Sequence, residues 1–272
     1  MNYAVESLGL SIRRACRVVG MCRATCNYRS RRKGNDGALC ARLRELAEQR
    51  RRFGCPRLHV MLKREGLVTN HKRTERLYRE EGLSLRLKRR RKRAAVIRVK
   101  LPAAGRPNQR WSMDFASDNL WTGRKFRVLV IVDDYTKECP AIEVDTSIPG
   151  ARVVRVLDRL AETRGLPEVI TVDNGSEFAG KAMDEWAYQR GVKLNFIRPG
   201  KPVENAYAES FIGRLRDECL NQNWFTTLAE ARYIIEEWRI DYNEVRPHSS
   251  LDDLSPMEFI ETRKKTLIQV GL

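Results

Sequence analysis

Apolar residues follow two different rhythms along this chain, and the change between them divides it. Up to about residue 86 they recur every three or four positions, the period of amphipathic helices; beyond about residue 108 they gather into short strand-like runs with helical stretches between. In the first part, Ser11 is placed to cap a short helix with Ile12, Ala15, Val18 and Val19 inward. Gly20 marks a turn, and Met21 to Tyr28 form a second helix. A loop from Ser30 to Gly37 precedes a longer helix, about Ala38 to Arg52, with Leu39, Leu43 and Leu46 on one side. The next helix pair is better marked. Pro56 opens a helix through Leu58, Met61 and Leu62 that Gly66 stops. Asn70 then caps His71 to Glu81, with Leu77 and Tyr78 inward and Lys72, Arg73, Arg76 and Arg79 outward, and Gly82 closes it.

The second part predicts strands at Gln109–Phe115, Lys125–Asp134 (nearly all apolar, hence central), Pro140–Val144, Glu168–Val172 and Val192–Ile197. Helices are predicted at about Gly150–Arg164, with Val153, Val154, Leu157 and Leu160 as the core face, at Gly180–Arg190, and from Asn205 to about Leu220. The order β-β-β-α-β-α-β-α gives an α/β fold, a mixed sheet flanked by helices. Proline and glycine in Leu101–Asn108 mark the boundary before it. The chain therefore divides into a basic helix-turn-helix-like segment (1–35), a second helical module of that kind (36–86), a basic linker (87–107), the α/β core (108–222) and a helical C-terminal extension (223–272).

Charge sharpens this division. Of 52 Lys+Arg and 35 Asp+Glu, residues 1–110 hold 31 and 8, and the remainder 21 and 27. A polycationic third joined to a mildly acidic remainder points to a nucleic-acid partner. No apolar run reaches the roughly 18 residues of a membrane span, and the start lacks a secretory pattern, so a cytoplasmic protein is expected. A second helix rich in outward cations is the kind of element that enters a DNA major groove, although a basic hairpin touching only phosphate has the same pattern. Lys88, Arg89, Arg90, Arg91, Lys92 and Arg93 form a block of like charge, read as an arm along phosphates in preference to an inert spacer. Seven cysteines, an odd number without pair-like spacing, read as free thiols. A zinc site from Cys22, Cys26, His59 and His71 is disfavoured because eleven residues separate the histidines, where zinc modules show about three to five.

Three acids stand out. Asp114 ends Gln109-Arg110-Trp111-Ser112-Met113-Asp114. Asp173 follows the apolar run Val169–Val172 and opens the turn Asp173-Asn174-Gly175-Ser176-Glu177-Phe178. Glu209 lies in a helix, with thirty-five residues between it and Asp173. Carboxylates offered from two strands and a helix suit divalent cations facing a phosphodiester. At 100° per residue from Ala208, the residues Phe211, Ile212, Leu215 and Cys219 form a buried stripe, with Glu209 and Arg216 stacked at its rim. Each acid taken singly is an ordinary polar rim residue; the three as a set are not. Asp133 and Asp134 close the second strand and compete, Asp134 reading as a turn residue or one that supports the site from behind, Glu177 as the start of the next helix, and His248 in Arg246-Pro247-His248-Ser249 as part of a structural turn. Ser255-Pro256-Met257-Glu258 is a capping box.

These motifs carry a family resemblance. Trp111–Phe115, Asp173–Phe178 and Glu209-Ser210-Phe211 with Arg216 resemble the DDE signature of transposases and retroviral integrases. Phe53-Gly54-x-x-Arg57-Leu58, Asn70–Arg73, Tyr78–Leu83 and Tyr242-Asn243-x-x-Arg246-Pro247-His248-Ser249-Ser250-Leu251 extend the likeness to the second-reading-frame product of bacterial insertion-sequence family three. Cys55 and Ile212 depart from it, standing where that pattern has an aromatic and an Asn. The resemblance implies an RNase H-like core with a five-stranded sheet, and Asp114, Asp173 and Glu209 holding two Mg²⁺ (or Mn²⁺) ions. It further implies cutting and joining of DNA, Arg216 and Lys201 positioning the element end, a multimer in the synaptic complex, and an upstream-frame DNA-binding partner or fusion. The alternatives are a nuclease of the same fold and a catalytically silent DNA-binding protein or repressor.

Overall fold

The computed structural model describes residues 2–27, 36–85, 103–198 and 205–269. Two compact units comprise residues 1–42 and 43–272. The first holds α1 (Asn2–Glu6), α2 (Ile12–Val19) and α3 (Arg23–Cys26). Ser11 caps α2 as expected, its hydroxyl accepting from Arg14 N–H at 3.4 Å, and Gly20 takes the left-handed conformation at φ 67°. The predicted apolar face is corrected. Ala15 and Cys16 are buried, whereas Ile12, Val18 and Val19 remain 45%, 70% and 51% exposed. Helices of eight and four residues are too short to cover a stripe of large side chains, so close approach falls to the small ones. The second helix is a single turn, shorter than Met21–Tyr28, and Tyr28 lies outside the described residues.

α4 (Gly37–Gln49) runs across the unit boundary, and α5 (Cys55–Arg64) and α6 (His71–Glu80) follow in the larger unit. Proline in the first turn starts α5, and the Asn70 side chain accepts from Lys72 N–H at 3.0 Å to cap α6. Leu58, Leu62, Leu77 and Tyr78 are buried along the two helices.

The sheet contains β1 (Arg110–Asn119), β2 (Lys125–Asp133), β3 (Ala141–Asp145), β4 (Val169–Val172) and β5 (Lys193–Phe196), in spatial order β3-β2-β1-β4-β5. β1, β2 and β3 pair antiparallel, and β4 and β5 join β1 in parallel. β1 runs past the expected end at Phe115 because Ala116–Asn119 continue the ladder, down to Asn119 opposite Lys125. The crossover helices are α7 (Gly150–Thr163) and α8 (Lys181–Arg190); α9 (Ala206–Glu218), α10 (Leu228–Glu244) and α11 (Pro256–Gln269) complete the unit.

Strand alternation sorts two cores, one on each face of the sheet. Trp111, Met113, Leu129, Ile131, Ile170 and Val172 face α7 and α8, whereas Ala116, Val128, Val130 and Val132 face α9 and α10 through Ala208, Phe211, Leu215 and Ile235. On α7 the buried face is Val153, Val156, Leu157 and Leu160. Val156 replaces the expected Val154, as strict i, i+3, i+4, i+7 spacing requires.

Ion pairs bind the helical module to the core within the larger unit. Arg50 meets Asp241 at 2.6 Å, Arg57 meets Glu218 at 3.2 Å and Arg64 meets Glu258 at 2.6 Å. Arg246, 1% exposed, grips Glu218 bidentately at 2.7 and 2.6 Å. His248 forms the structural turn the sequence suggests: it bridges Leu254, its Nε2 lies 3.3 Å from the Tyr242 carbonyl, and burial pushes its pKa down to about 3. Ser255 and Glu258 cap each other reciprocally, at 2.7 and 3.3 Å.

Candidate active site

Strand register brings the first two acids level. The last β1–β4 pair is Ser112 with Thr171, and Asp114 and Asp173 each lie two residues beyond it. Adjacent strands are about 4.8 Å apart. Alternation from Met113 and Val172 on the opposite core turns both acids toward the face that α9 covers. Glu209 follows the buried Ala208 in the first turn of α9. The start of that helix is fastened to β1, because Asn205 Nδ2 donates to the Met113 carbonyl at 3.0 Å. Met113 is the residue before Asp114.

The electrostatics of the site reflects the same convergence. Burial pushes the Asp114 carboxyl from the ordinary 3.8 to about 6, and the charges of Asp173 and Glu209 push it the same way. Loss of hydration against the protein surface also raises Glu209. One oxygen of each aspartate is already held by backbone: Asp114 Oδ1 accepts from Phe115 N–H at 2.7 Å, and Asp173 Oδ1 from Gly175 N–H at 3.0 Å. The acids are thus gathered within electrostatic reach but not closed into a ligand cluster. Among the described residues no group of three His, Cys, Asp or Glu side chains is close enough to hold a metal ion as it stands. The available donors are carboxylate oxygens, which suit a hard cation. All seven cysteines are free.

The rival acids are engaged elsewhere. Asp134 is buried and accepts from Ser112 Oγ at 2.6 Å as well as from Arg110. Asp133, the last residue of β2, accepts from Tyr135 and Thr136 N–H at 2.8 and 3.0 Å, and Asp134 opens the turn that follows. Glu177 does not begin α8, which starts at Lys181 behind Gly180. Phe178 is fully buried and draws the segment onto the sheet, leaving Glu177 in a turn paired with Arg127. The Arg127 guanidinium also lies 4.1 Å from the centroid of the Phe115 ring.

Sequence reasoning missed two supports of this site. Asn205 reads as an ordinary helix start but is 2% exposed, with its Oδ1 buried and unpartnered. Lys137, from the turn after β2, places its ammonium 3.8 Å from the Tyr207 ring centroid on the first turn of α9, and burial lowers its pKa to about 8. A polar residue ahead of an amphipathic run hints at the first; no local pattern announces the second.

Residues 104–202 match a family described as Integrase core domain, and residues 190–256 match a second family so described. Over 266 residues, 98% of this chain and 96% of the relative, the chain is 50% identical to the insertion element IS407 uncharacterized 31.7 kDa protein of Burkholderia multivorans. It belongs to the insertion-sequence transposases. The transposase for insertion sequence element IS904 of Lactococcus lactis is a more distant relative, 28% identical across 78% of this chain and 88% of that one. Among solved structures, the HTLV-2 integrase catalytic core in complex with magnesium is similar at 16% identity and TM-score 0.46, covering 56% of this chain and 96% of that one.

For this transposase, residues 35–93 match the HTH-like domain, which contains α5 and α6. The α6 cations are more engaged than their outward phase suggests. Lys72 is exposed, but Arg73 is half-buried, Arg76 pairs with Glu80 at 2.8 Å and Arg79 pairs with Glu75. Arg216 is exposed on α9, seven residues beyond Glu209. Lys88–Arg93 and Lys201 lie outside the described residues. No helix among the described residues is long and apolar enough to cross a membrane.

Proposed function

We propose that this transposase binds the ends of its element, nicks DNA there to expose 3′-hydroxyls, and joins those ends to target DNA with Mg²⁺ or Mn²⁺. The observation that carries the reading is the common level and common face of Asp114 and Asp173, with Glu209 on the helix turn fastened beside them. Asp114, Asp173 and Glu209 would hold the cations, all through oxygen. Two such ions, when bound, would activate water or a 3′-hydroxyl and stabilise the leaving oxygen at phosphorus.

The chain's own residues have separable parts in this scheme. Asn205 keeps the first turn of α9 on β1, so Glu209 stays opposite Asp114. The N–H groups of Phe115 and Gly175 hold one oxygen of each aspartate and leave the other for a ligand. With its carboxyl at about 6, Asp114 favours arriving positive charge over continued repulsion by its neighbours. Arg216 would hold a DNA phosphate bidentately, and Lys72, Arg73, Arg76 and Arg79 would contact DNA from α6. Lys201 and the Lys88–Arg93 arm would add phosphate contacts, and synapsis of two ends calls for a multimer.

The test is end cleavage and joining with Mg²⁺, comparing the parent with Asp114→Asn, Asp173→Asn and Glu209→Gln. Each substitution should abolish chemistry and spare DNA binding. A variant that stays active removes its acid from the site, and a parent that binds ends without nicking them is a silent DNA-binding protein.

A further inference from the structure

Trp121 and Trp224 are 69% and 76% exposed, while Trp111, Trp186 and Trp238 are at most 9% exposed. The exposed pair is firmly mounted. Its rings meet edge to face with centroids 5.0 Å apart. Trp121 N–H donates to the Phe225 carbonyl at 2.8 Å, and the buried Phe225 stands edge-on to the buried Phe126 at 5.6 Å. Arg124 and Lys125, three and four residues after Trp121, are exposed. Their side chains form no ion pair with any described residue.

The position of the pair is informative. β1, which carries Asp114, and α9, which carries Glu209, run side by side: Asn205 touches Met113 at one end, and Trp121 bonds to Phe225 beyond the other. From Asp114 to Asn119 the strand advances roughly 17 Å at 3.3 Å per residue. From Glu209 to Glu218 the helix advances roughly 14 Å. The tryptophans therefore stand roughly 15–25 Å from the acids, about four to seven nucleotide steps at 3.4 Å each. Arg216 lies exposed on α9 between them.

We propose that Trp121 and Trp224 form a stacking platform for unpaired DNA bases, on a DNA segment that also reaches the acids. This rests on the DNA-acting reading above. Aromatic faces flanked by unpaired cations suit single-stranded nucleic acid, whose bases stack and whose phosphates need positive charge. A second copy of the chain fits less well. Two indoles this exposed offer at most roughly 350 Å², against about 800 Å² per partner in a stable protein interface.

The full chain is titrated, in metal-free buffer, with a mixed-sequence single-stranded oligonucleotide and with the same sequence as a duplex. Single strands should quench tryptophan emission and shield it from acrylamide; the duplex should do so less. Trp121→Ala with Trp224→Ala should lose the quenching and weaken single-strand binding roughly five- to a hundredfold. The corresponding double phenylalanine variant, still able to stack, should retain most of the affinity. Unshielded emission in the saturated parent complex overturns the platform without recourse to any variant. So does unchanged DNA affinity in the alanine variant, including the case in which that variant dissociates from a dimer to a monomer. Mg²⁺-dependent nicking by the parent, absent in Asp114→Asn, reports separately on the catalytic reading: nicking with unshielded indoles sinks only the platform.

Discussion

Replacing Asp114 by Asn should harm function and help stability, and pH should separate the two effects. In the metal-free protein the Asp114 carboxyl is raised from 3.8 to about 6, chiefly by burial and further by Asp173 and Glu209. A folded-state value above the unfolded one means that the native protein binds the extra proton between those pH values. Stability attributable to this residue is therefore highest below 3.8 and falls as pH rises through 6. At pH 7.5 the full difference corresponds to about 3 kcal/mol, and partial exposure of the group reduces it to about 1–2 kcal/mol. Asn keeps an oxygen for Phe115 N–H and removes the charge. In thermal melts without divalent metal, Asp114→Asn should melt about 3–6 °C above the parent at pH 7.5. The two should nearly coincide at pH 4. Adding Mg²⁺ should raise the melting temperature of the parent but not of the variant, by ligand linkage. An Asn variant no more stable than the parent at pH 7.5, or equally stabilised at pH 4, would refute the claim that burial beside Asp173 and Glu209 raises the Asp114 carboxyl.

Other expectations follow from single contacts. Glu218→Ala leaves the buried Arg246 without its bidentate partner and should cost about 3–5 kcal/mol in urea unfolding; a loss below 1 kcal/mol would mean that water reaches the arginine. Gly175→Ala places a Cβ 2.9 Å from Asp173 Oδ1 and 3.2 Å from Glu177 Oε2, so it should cut nicking at least tenfold while changing DNA affinity little, as gel shift and single-turnover assays would report. His248, depressed from 6.5 to about 3, contributes stability that is present above pH 6.5 and is lost as pH falls toward 3. His248→Gln should flatten the acid limb of the stability profile; an unchanged limb assigns acid unfolding to other groups.

Much of this architecture is written in local pattern, and the exceptions share a cause. Five strands and three helices of the core are legible because each buries a face with its own period, and Asp114 and Asp173 because each follows a run that reads as a strand, mixed Gln109–Met113 for the first and apolar Val169–Val172 for the second. Their common level is not legible, since register between β1 and β4 depends on pairing residues 59 positions apart, such as Ser112 and Thr171. The same holds for Arg50 with Asp241, separated by 191 positions, and for Lys137 with Tyr207. Strict helical spacing puts Val156 in place of Val154 on α7, whereas Glu177 stayed out of α8 because its neighbour Phe178 was needed in the core.

The charge asymmetry of the sequence also has to be divided between two uses. A cationic first third suggests a surface given wholly to phosphate, yet Arg50, Arg57 and Arg64 bind carboxylates of the C-terminal half of the same unit. The acidic excess beyond residue 110 is thus partly a counter-surface for the module. The pairs differ in how readily DNA could replace them. Arg79 and Glu75 are 70% and 45% exposed, and such helix pairs contribute only about 0.3–0.5 kcal/mol, so exchange of Glu75 for phosphate is nearly free. The Glu218 and Arg246 side chains are 9% and 2% exposed, and breaking that pair would strand a charge. The buried pair holds Glu218 in place to accept Arg57 of the module, while the exposed pairs of α6 leave its arginines exchangeable.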